Sequence, residues 1–302
     1  MTASRRITAL ATLGLLAMTA VWGSTFVLIK DVVARMPVAD FLAVRFAIAA
    51  LVMLLLFARP VLRLGRRQVA RGLLLGVVYG AGQLLQTWGL SLIAPSVSGF
   101  ATGMYVVFTP ILAMLLLRQR MAGLVWLAVL LSTAGLALLS LNGVSVDLGV
   151  WLTLASAALY ALHIVGLGQW SRKGEAFGLS AVQMMAIALV CLLATAPHGP
   201  MLPPDHSAWF AVLYMALIAG AGAMLMQTWA QSHLPATRAA IVMTTEPVFA
   251  AAFAVALGSD MLGWRMVVGG GLILAAMYLV ELMPRRGGIT SEPPSEAVHH
   301  EV

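Results

Sequence analysis

Long apolar runs follow one another along the chain and are separated by short polar segments. There are ten of them, at about residues 7–29, 38–58, 72–92, 96–117, 121–141, 148–170, 178–196, 207–230, 236–257 and 262–282. Each run is close to the ~20 residues that an α-helix needs to cross a hydrocarbon core of roughly 30 Å. The pattern predicts an all-α membrane protein with ten transmembrane helices, which we call spans 1 to 10. Span 1 lacks a clear small-residue cleavage site, so we interpret it as a retained helix and not as a signal peptide.

A repeat divides the chain into two halves. The segment 72–120 recurs at about 213–260, and from the proline of each copy onward the two register without a gap, 140 residues apart. The matched features are Gln86-Thr87-Trp88 with Pro95, and Gln227-Thr228-Trp229 with Pro235. Because internal repeats define the units of a fold, we predict a first half at residues 1–143 and a second half at 144–283. The polar residues 284–302 predict a disordered cytoplasmic tail.

Basic residues indicate how the helices are oriented. With the N-terminus inside, 14 of the 18 Lys and Arg residues fall on inner segments, and only Lys30, Arg35 and Arg265 fall on outer ones. Since cytoplasmic loops carry the excess of Lys and Arg, both termini are predicted to be cytoplasmic. Five spans per half is an odd number, so the second half must insert upside down relative to the first. Such a 5+5 inverted-topology repeat is typical of secondary transporters, whose substrate site lies near the membrane midplane between the halves.

Composition agrees with a membrane protein and argues against several other classes. The 302 residues are 61% hydrophobic and only 10% charged, which is more apolar than soluble domains of this size. The formal charge of +7 does not indicate nucleic-acid binding, because the basic residues sit in short loops where membrane topology explains them. The single cysteine, Cys191, excludes an intramolecular disulfide and a multi-cysteine metal site. We predict neither a metal nor a cofactor.

Four short motifs, taken in their order and spacing, resemble one transporter family. They are Trp22-Gly23-Ser24 in span 1, Phe41-x-x-x-Arg45-Phe46 in span 2, Gly99-Phe100 with Tyr105-Val106-Val107-Phe108-Thr109-Pro110 in span 4, and Glu246-Pro247-Val248-Phe249 in span 9. Over residues 7–283 the chain resembles the ten-helix branch of the drug/metabolite transporter superfamily, which is built from two EamA domains. The resemblance implies export of amino acids and other small metabolites from the cytoplasm across a bacterial inner membrane. Family members often keep an acidic residue at the cytoplasmic end of span 4, where this chain has Arg118-Gln119-Arg120.

Two titratable residues are predicted to lie deep in the membrane. Glu246 lies about ten residues into span 9, which at 1.5 Å per residue is roughly 15 Å deep. A carboxylate there is costly, and it suggests a proton site or an anchor for a substrate ammonium group. The alternative is a polar partner for backbone groups that Pro247 frees. His163, in span 6, either borders the substrate cavity or makes an interhelical hydrogen bond.

Amide and phenol groups are predicted to share helix faces. Tyr79, Gln83 and Gln86 recur at spacings of four and three on span 3, and Gln227 and Gln231 share a face of span 8. These faces line a polar cavity that grips a zwitterion, or they connect helices through hydrogen bonds worth about 0.5–1 kcal/mol each.

The remaining candidates are aromatic, small or structural. Trp22 and Tyr160 lie deepest among the aromatic residues and are predicted to form cavity walls. Arg45, Pro110 and Pro247 are predicted to have structural or gating roles, Arg45 through an ion pair, because it matches the arginine in helix 2 of the family that the chain resembles. Glycines 72, 76 and 80 are spaced for helix packing. The predicted substrate-binding set is Trp22, Ser24, Tyr79, Gln83, Gln86, Tyr105, Tyr160, His163, Gln227, Trp229 and Glu246.

These observations favour a carrier that exports small neutral metabolites, with amino acids as the leading substrate class, by alternating access. The alternative is export of a drug, a lipophilic compound or another metabolite by the same fold. The chain has no Gly-x-Ser-Gly, no His-Glu-x-x-His and no intramembrane aspartate pair, so an intramembrane enzyme is not predicted. It has no filter-like motif of a selective channel either. The predicted partners are a small-molecule substrate and the lipid bilayer, without nucleic acid, and a monomer is the working hypothesis. Proton antiport and facilitated diffusion both remain open.

Overall fold

The chain folds as a bundle of α-helices. A computed structural model describes residues 3–118, 124–142, 145–171, 174–196, 199–231 and 242–282. We number the helices in chain order as α1 (Ala3–Val33), α2 (Val38–Leu62), α3 (Arg66–Leu92), α4 (Pro95–Gly103), α5 (Tyr105–Leu117), α6 (Leu124–Ser140), α7 (Leu148–Trp170), α8 (Ala176–Ala194), α9 (His206–Ala216), α10 (Ala223–Gln231), α11 (Glu246–Ala256) and α12 (Trp264–Leu282). A π-helical segment, Leu217–Gly222, joins α9 to α10. A two-residue strand pair, Leu141–Asn142 with Ser145–Val146, precedes α7.

The described helices overlap the predicted spans, whereas residues 121–123 of span 5 and 236–241 of span 9 lie outside the described part of the chain. Within the described residues, six helical segments are long and apolar enough to cross a membrane, and three shorter helices are also apolar. Helix α3, which covers span 3, is less apolar because it begins with arginines and carries glycine and glutamine along its length. The predicted all-α membrane fold is therefore confirmed. The predicted tail at 284–302 lies outside the described residues.

Helix packing relates the two halves by an approximate two-fold symmetry. Helix α2 packs on α8 and α6 packs on α12, which are the contacts of spans 2 and 5 with their own repeat mates, spans 7 and 10. Helix α3 packs on α7 in the same way that α10 packs on α1, and α4 and α5 pack on α7 as α11 packs on α1. This exchange of equivalent contacts is typical of an inverted repeat. Residues 143 and 144 are outside the described part, so the predicted junction between the halves stays a prediction.

Close contacts between small residues hold α3 against α8. A Cβ on Gly76 would lie 2.5 Å from the carbonyl oxygen of Gln183, and one on Gly72 would lie 2.8 Å from Val182. Gly80 faces Val190 one turn further on. The packing role predicted for these three glycines is confirmed, since a side chain there would separate the two helices.

Spans 4 and 9 are both broken, and at the same place in the repeat. A turn at Met104 separates α4 from α5, and a turn at residues 244–245 precedes α11, so the two breaks are 140 residues apart. A proline follows each break, Pro110 in α5 and Pro247 in α11. Because proline lacks the N–H that a continuous helix would donate to the carbonyl four residues earlier, both segments are weakened near mid-span. Discontinuous helices at corresponding positions of two halves point to a substrate site.

Candidate functional site

A cavity lies between the two halves, next to both helix breaks. Its volume is ≈ 120 Å³, several times the ~10–15 Å³ that one ordered water needs. Its wall combines polar groups with aromatic and aliphatic side chains. The lining residues are Trp22, Thr25, Phe26, Ile29, Arg45, Phe46, Tyr79, Gln83, Gln86, Thr87, Leu90, Thr102, Tyr105, Tyr160, His163, Ile164, Leu167, Met184, Ala219, Gly220, Met224, Met243 and Glu246.

Three helices each present one continuous face to this cavity. Spacings of three and four residues bring side chains to one side of a helix. The face of α1 runs from Trp22 to Ile29, that of α3 from Tyr79 to Leu90, and that of α7 from Tyr160 to Leu167. Helices α1 and α3 belong to the first half of the chain, whereas α7 belongs to the second. Both halves therefore contribute to the wall.

A chain of hydrogen bonds connects α7, α3 and α4 across the cavity wall. The Tyr160 hydroxyl donates to Gln86 Oε1 at 2.8 Å, and Gln86 Nε2 donates to Thr102 Oγ1 at 3.0 Å. The Tyr160 ring also packs against Tyr79, with 5.0 Å between ring centroids. These contacts hold two phenol rings and one amide in fixed positions on the wall.

His163 belongs both to the cavity wall and to an interhelical contact. Its Nε2 lies 2.7 Å from Gln183 Oε1 on α8, while Gln183 Nε2 donates to the carbonyl of Leu179 at 3.3 Å. Since an amide oxygen only accepts hydrogen bonds, this arrangement places the histidine proton on Nε2. The imidazole also packs edge-on against Tyr79, with centroids 5.0 Å apart. Each of the two roles predicted for this histidine therefore has a contact that supports it.

Glu246 is the first residue of α11 and faces the cavity from the break in span 9. Its side chain is buried and lies beside the hydroxyl of Tyr105. A carboxylate at the first turn of a helix interacts favourably with the helix dipole. The preceding residue, Thr245, is fixed by its hydroxyl, which lies 3.1 Å from that of Thr19 on α1. The break therefore directs this carboxylate toward the cavity, and the contact between Thr245 and Thr19 fixes the backbone next to it.

The π-helical segment of span 8 supplies carbonyl groups to the same wall. A π-helix widens the turn and displaces carbonyls from regular α-helical bonding, and such segments are frequent at functional sites. Here the Ala219 carbonyl accepts a hydrogen bond from Trp22 Nε1 at 2.8 Å. The Met215 carbonyl, just before the segment, accepts from Arg45 Nε at 3.3 Å. The guanidinium of Arg45 lies 4.9 Å from the ring centroid of Phe46.

Most of the predicted site residues are brought together, and a few are not. Ser24 does not line the cavity, because its hydroxyl contacts Tyr214, 3.0 Å away on α9. Two residues after Trp22, it points about 200° away around the helix. Trp229 packs instead against the hydrophobic cluster that includes Ala11 and Leu15. It lies ten residues, roughly 15 Å, beyond Ala219 along the helix. Pro247 packs on Gly103.

Two predictions fall on side chains outside the described part of the chain. Gln227 lies in the backbone of α10 and Pro110 in that of α5. The predicted ion pair of Arg45 is not formed with any described carboxylate, because the two ion pairs of the described residues, Arg35 with Asp31 and Arg35 with Asp205, both lie elsewhere.

Several wall residues were not predicted. Thr25, Phe26 and Ile29 follow Trp22 at spacings of three, four and seven, and Thr87 follows Gln83 by four. Extending the predicted helix faces by this periodicity would have found them. Thr102, in contrast, is recognised only through its bond to Gln86. Among the described residues, no cluster of His, Cys, Asp or Glu is arranged to hold a metal ion.

Polar contacts between elements connect helix ends near the C-terminal end of α1. Lys30 Nζ donates to the carbonyls of Leu90, Ser91 and Ile93 at 2.8–3.0 Å, at the end of α3. Asp260 Oδ2, from the second half, accepts from the Ser96 N–H at 3.0 Å and so caps α4. These bonds join α1, α3 and α4 to the loop that follows α11.

A second contact joins the C-terminal end of α1 to the start of α9. Arg35 pairs with Asp31 on its own helix end and with Asp205, the N-cap residue of α9. The backbone N–H of Ala208, followed by the Arg35 guanidinium, lowers the pKa of Asp205 below its usual value, and the Asp205 contact raises the pKa of Arg35. Both groups lie outside the membrane spans, so their charges are stabilised at the aqueous surface.

Comparison with known proteins assigns the chain. The model of the EamA-like transporter family matches residues 9–141 and, a second time, residues 147–282. An uncharacterized transporter of Archaeoglobus fulgidus is 30% identical over 273 residues, which cover 90% of this chain and 86% of that protein. A solved crystal structure is similar with a TM-score of 0.64 at 19% identity, covering 90% of this chain and 96% of the other; at that identity it supports the fold alone. A cavity beside two broken helices, in a multi-pass membrane protein matched twice over nearly its whole length, leads to one conclusion: the chain belongs to the EamA-like transporter family of the drug/metabolite transporter superfamily.

Proposed function

We propose that this membrane transporter exports small neutral metabolites, with amino acids as the substrate class, by alternating access. The observation that carries the proposal is the buried Glu246 carboxylate on the wall of a cavity that also presents amide, hydroxyl and phenol groups. A carboxylate in a membrane cavity suits an ammonium group or a proton. The aromatic wall formed by Trp22, Tyr79 and Tyr160 suits an apolar side chain.

Export is proposed from orientation and from the family that the chain resembles. The excess of Lys and Arg on one set of loops supports cytoplasmic termini, and a bacterial inner membrane is the proposed location. The substrate-binding residues predicted from the sequence that also line the cavity are proposed to contact the substrate. A monomer is proposed as the transporting unit, because each chain contains both halves of the cavity wall.

The test is counterflow of labelled amino acids in liposomes that contain the purified protein. Uptake of label driven by the same unlabelled amino acid inside would support a carrier and would identify its substrates. Glu246→Gln should keep counterflow but lose flux driven by a pH gradient if Glu246 carries a coupling proton. His163→Ala should weaken substrate exchange, because it removes a wall residue and its bond to Gln183.

A matched control is Glu175→Gln, since Glu175 contacts Gln68 near the end of α7 and lies outside the cavity. It should leave both counterflow and pH-driven flux unchanged. If the wild-type protein exchanges no amino acid, the amino-acid proposal is rejected in favour of another metabolite or a lipophilic compound. Cells that produce the protein should also release preloaded label faster than control cells, and slower release would argue against export.

A further inference from the structure

Arg45 is a buried cation on the cavity wall without a carboxylate partner. Its side chain is only 5% exposed, and within the described part of the chain no Asp or Glu oxygen lies within 4.0 Å of it. A buried charge without a partner is strongly unfavourable. The described residues stabilise this cation only in part, through one backbone carbonyl and two aromatic rings.

The protein contacts of Arg45 use only a small part of its hydrogen-bonding capacity. Nε donates to the Met215 carbonyl at 3.3 Å, and the faces of the guanidinium are near the rings of Phe46 and Phe41, at 4.9 and 5.9 Å from their centroids. An arginine has five N–H donors. The four on Nη1 and Nη2 make no hydrogen bond to any residue that the structure describes.

These contacts also fix the direction of the guanidinium. The Met215 carbonyl accepts from Nε, and the N–H donors on Nη1 and Nη2 are left for another partner. Because Arg45 lines the cavity, a group that enters the cavity reaches these donors. A carboxylate matches this edge, since two parallel N–H···O bonds form between a guanidinium and a carboxylate.

We propose that Arg45 binds the carboxylate group of the transported substrate, so that a free carboxylate is a requirement for transport. The proposal deepens the function proposed above and rests on it for the amino-acid class. The cavity then has groups of both charges. Tyr79, Tyr160, Arg45 and Glu246 all line the same cavity, so the two charged groups share a wall with the tyrosine pair. A molecule with one ammonium and one carboxylate fits that distribution.

The first experiment varies the substrate and leaves the protein unchanged. Counterflow of labelled leucine is measured with unlabelled leucine, leucinamide or leucine methyl ester as competitor. The amide and the ester keep the ammonium group and the side chain but lose the negative charge. We expect both to compete roughly 10-fold to 100-fold more weakly than leucine, because a charge-assisted bond is lost. Equal competition by all three compounds would overturn the proposal.

The second experiment varies the protein. Arg45→Gln should raise the half-saturating leucine concentration by roughly 10-fold to 100-fold and should abolish the preference for leucine over leucinamide. Arg45→Lys keeps the positive charge but loses the paired N–H donors of the guanidinium. Its half-saturating leucine concentration should lie between those of the wild type and Arg45→Gln. Arg71→Gln is the matched control, because Arg71 packs over Trp170 and does not line the cavity. A folded Arg45→Gln protein that keeps the preference for leucine would also overturn the proposal.

The failure of the amino-acid proposal is distinguishable from the failure of this one. If wild-type protein exchanges no amino acid, its melting temperature is measured with a panel of monocarboxylic acids and the corresponding amides. Stabilisation by at least one acid but not by its amide, lost in Arg45→Gln, would support a carboxylate site for a different substrate. No stabilisation by any acid would overturn the role proposed for Arg45.

Discussion

Gly23 is the place where one added methyl group should disturb the cavity most directly. It lies between Trp22 and Ser24 in α1, where α1 crosses α11. A Cβ at this position would lie 2.5 Å from the Cβ of Phe249 and 2.8 Å from the backbone nitrogen of Ala250. One of these neighbours is backbone, so rotation of a side chain cannot relieve both contacts.

The size of the effect follows from these distances. Carbon atoms pack at about 3.5–4.0 Å, so Gly23→Ala requires α1 and α11 to separate by roughly 1 Å at the crossing. Overpacking of this kind typically costs about 1–3 kcal/mol. The displacement also moves Trp22 on α1 away from Glu246 on α11, and both residues line the wall. We therefore expect lower stability together with weaker substrate exchange.

The measurement is the free energy of unfolding in mixed micelles, obtained by titration with a denaturing detergent and followed by tryptophan fluorescence. Gly271→Ala is the matched control, because Gly271 is also helical and no atom lies within 4 Å of the position that its Cβ would take. The control should stabilise the protein by up to about 1 kcal/mol, because alanine has the higher helix propensity and its methyl group meets no neighbour. Counterflow is measured on both variants after their elution profiles show that they are folded.

Equal stability and equal counterflow of the two variants would refute the reasoning. It would mean that the close approach of α1 and α11 is not needed for the cavity. A loss of counterflow at unchanged stability would instead assign Gly23 to the motion of these helices. The expected decrease in the free energy of unfolding would then be wrong.

The remaining predictions concern the polar contacts at the helix ends. The pKa of Asp205 is lowered in the folded protein by the Ala208 N–H and by Arg35, so its stabilising contribution is present above the unfolded pKa of about 3.9 and is lost as pH falls through the lower folded value. Melting temperature should therefore decrease below pH ~4 in wild-type protein and decrease less in Asp205→Asn; identical pH profiles would contradict this. Asp260→Ala should cost about 0.5–2 kcal/mol, because it removes the cap on Ser96, and Asp260→Asn should cost less. Asp147→Ala is its control, since Asp147 precedes α7 without a side-chain cap bond, and an equal loss in that control would rule out a capping role for Asp260.

Hydrophobic length and repeat spacing were sufficient to predict the helices. Span 6, predicted at 148–170, coincides with α7, because a lipid-crossing helix is defined by its apolar length and its flanking polar residues. The faces of α3 and α7 were also predictable, since helical periodicity alone decides which side chains point together. Tyr79, Gln86 and His163 are therefore found on one wall.

Features that depend on the backbone were not predictable in this way. The bonds of Trp22 and Arg45 end on the carbonyls of Ala219 and Met215, around a π-helical segment whose sequence, Leu217–Gly222, shows no distinctive pattern apart from its glycines. Carbonyl acceptors are present at every residue, so only the local backbone geometry decides which ones are free. The ion pair expected for Arg45 was assigned from a family resemblance, and the carbonyl and the aromatic rings take its place.

The paired breaks in spans 4 and 9 explain why the cavity forms where it does. A continuous helix satisfies its own backbone groups and presents only side chains, whereas a broken helix adds a new N-terminus at mid-span. The breaks are 140 residues apart, so the two-fold relation of the halves brings both new N-termini, at Tyr105 and Glu246, to one wall. Lateral packing by glycine then holds α1 against α11 closely enough for Trp22 to complete that wall. The repeat therefore positions the polar groups of the site. The two halves differ in charge, because Arg45 comes from the first half and Glu246 from the second. The wall consequently has one guanidinium and one carboxylate in place of two identical sites.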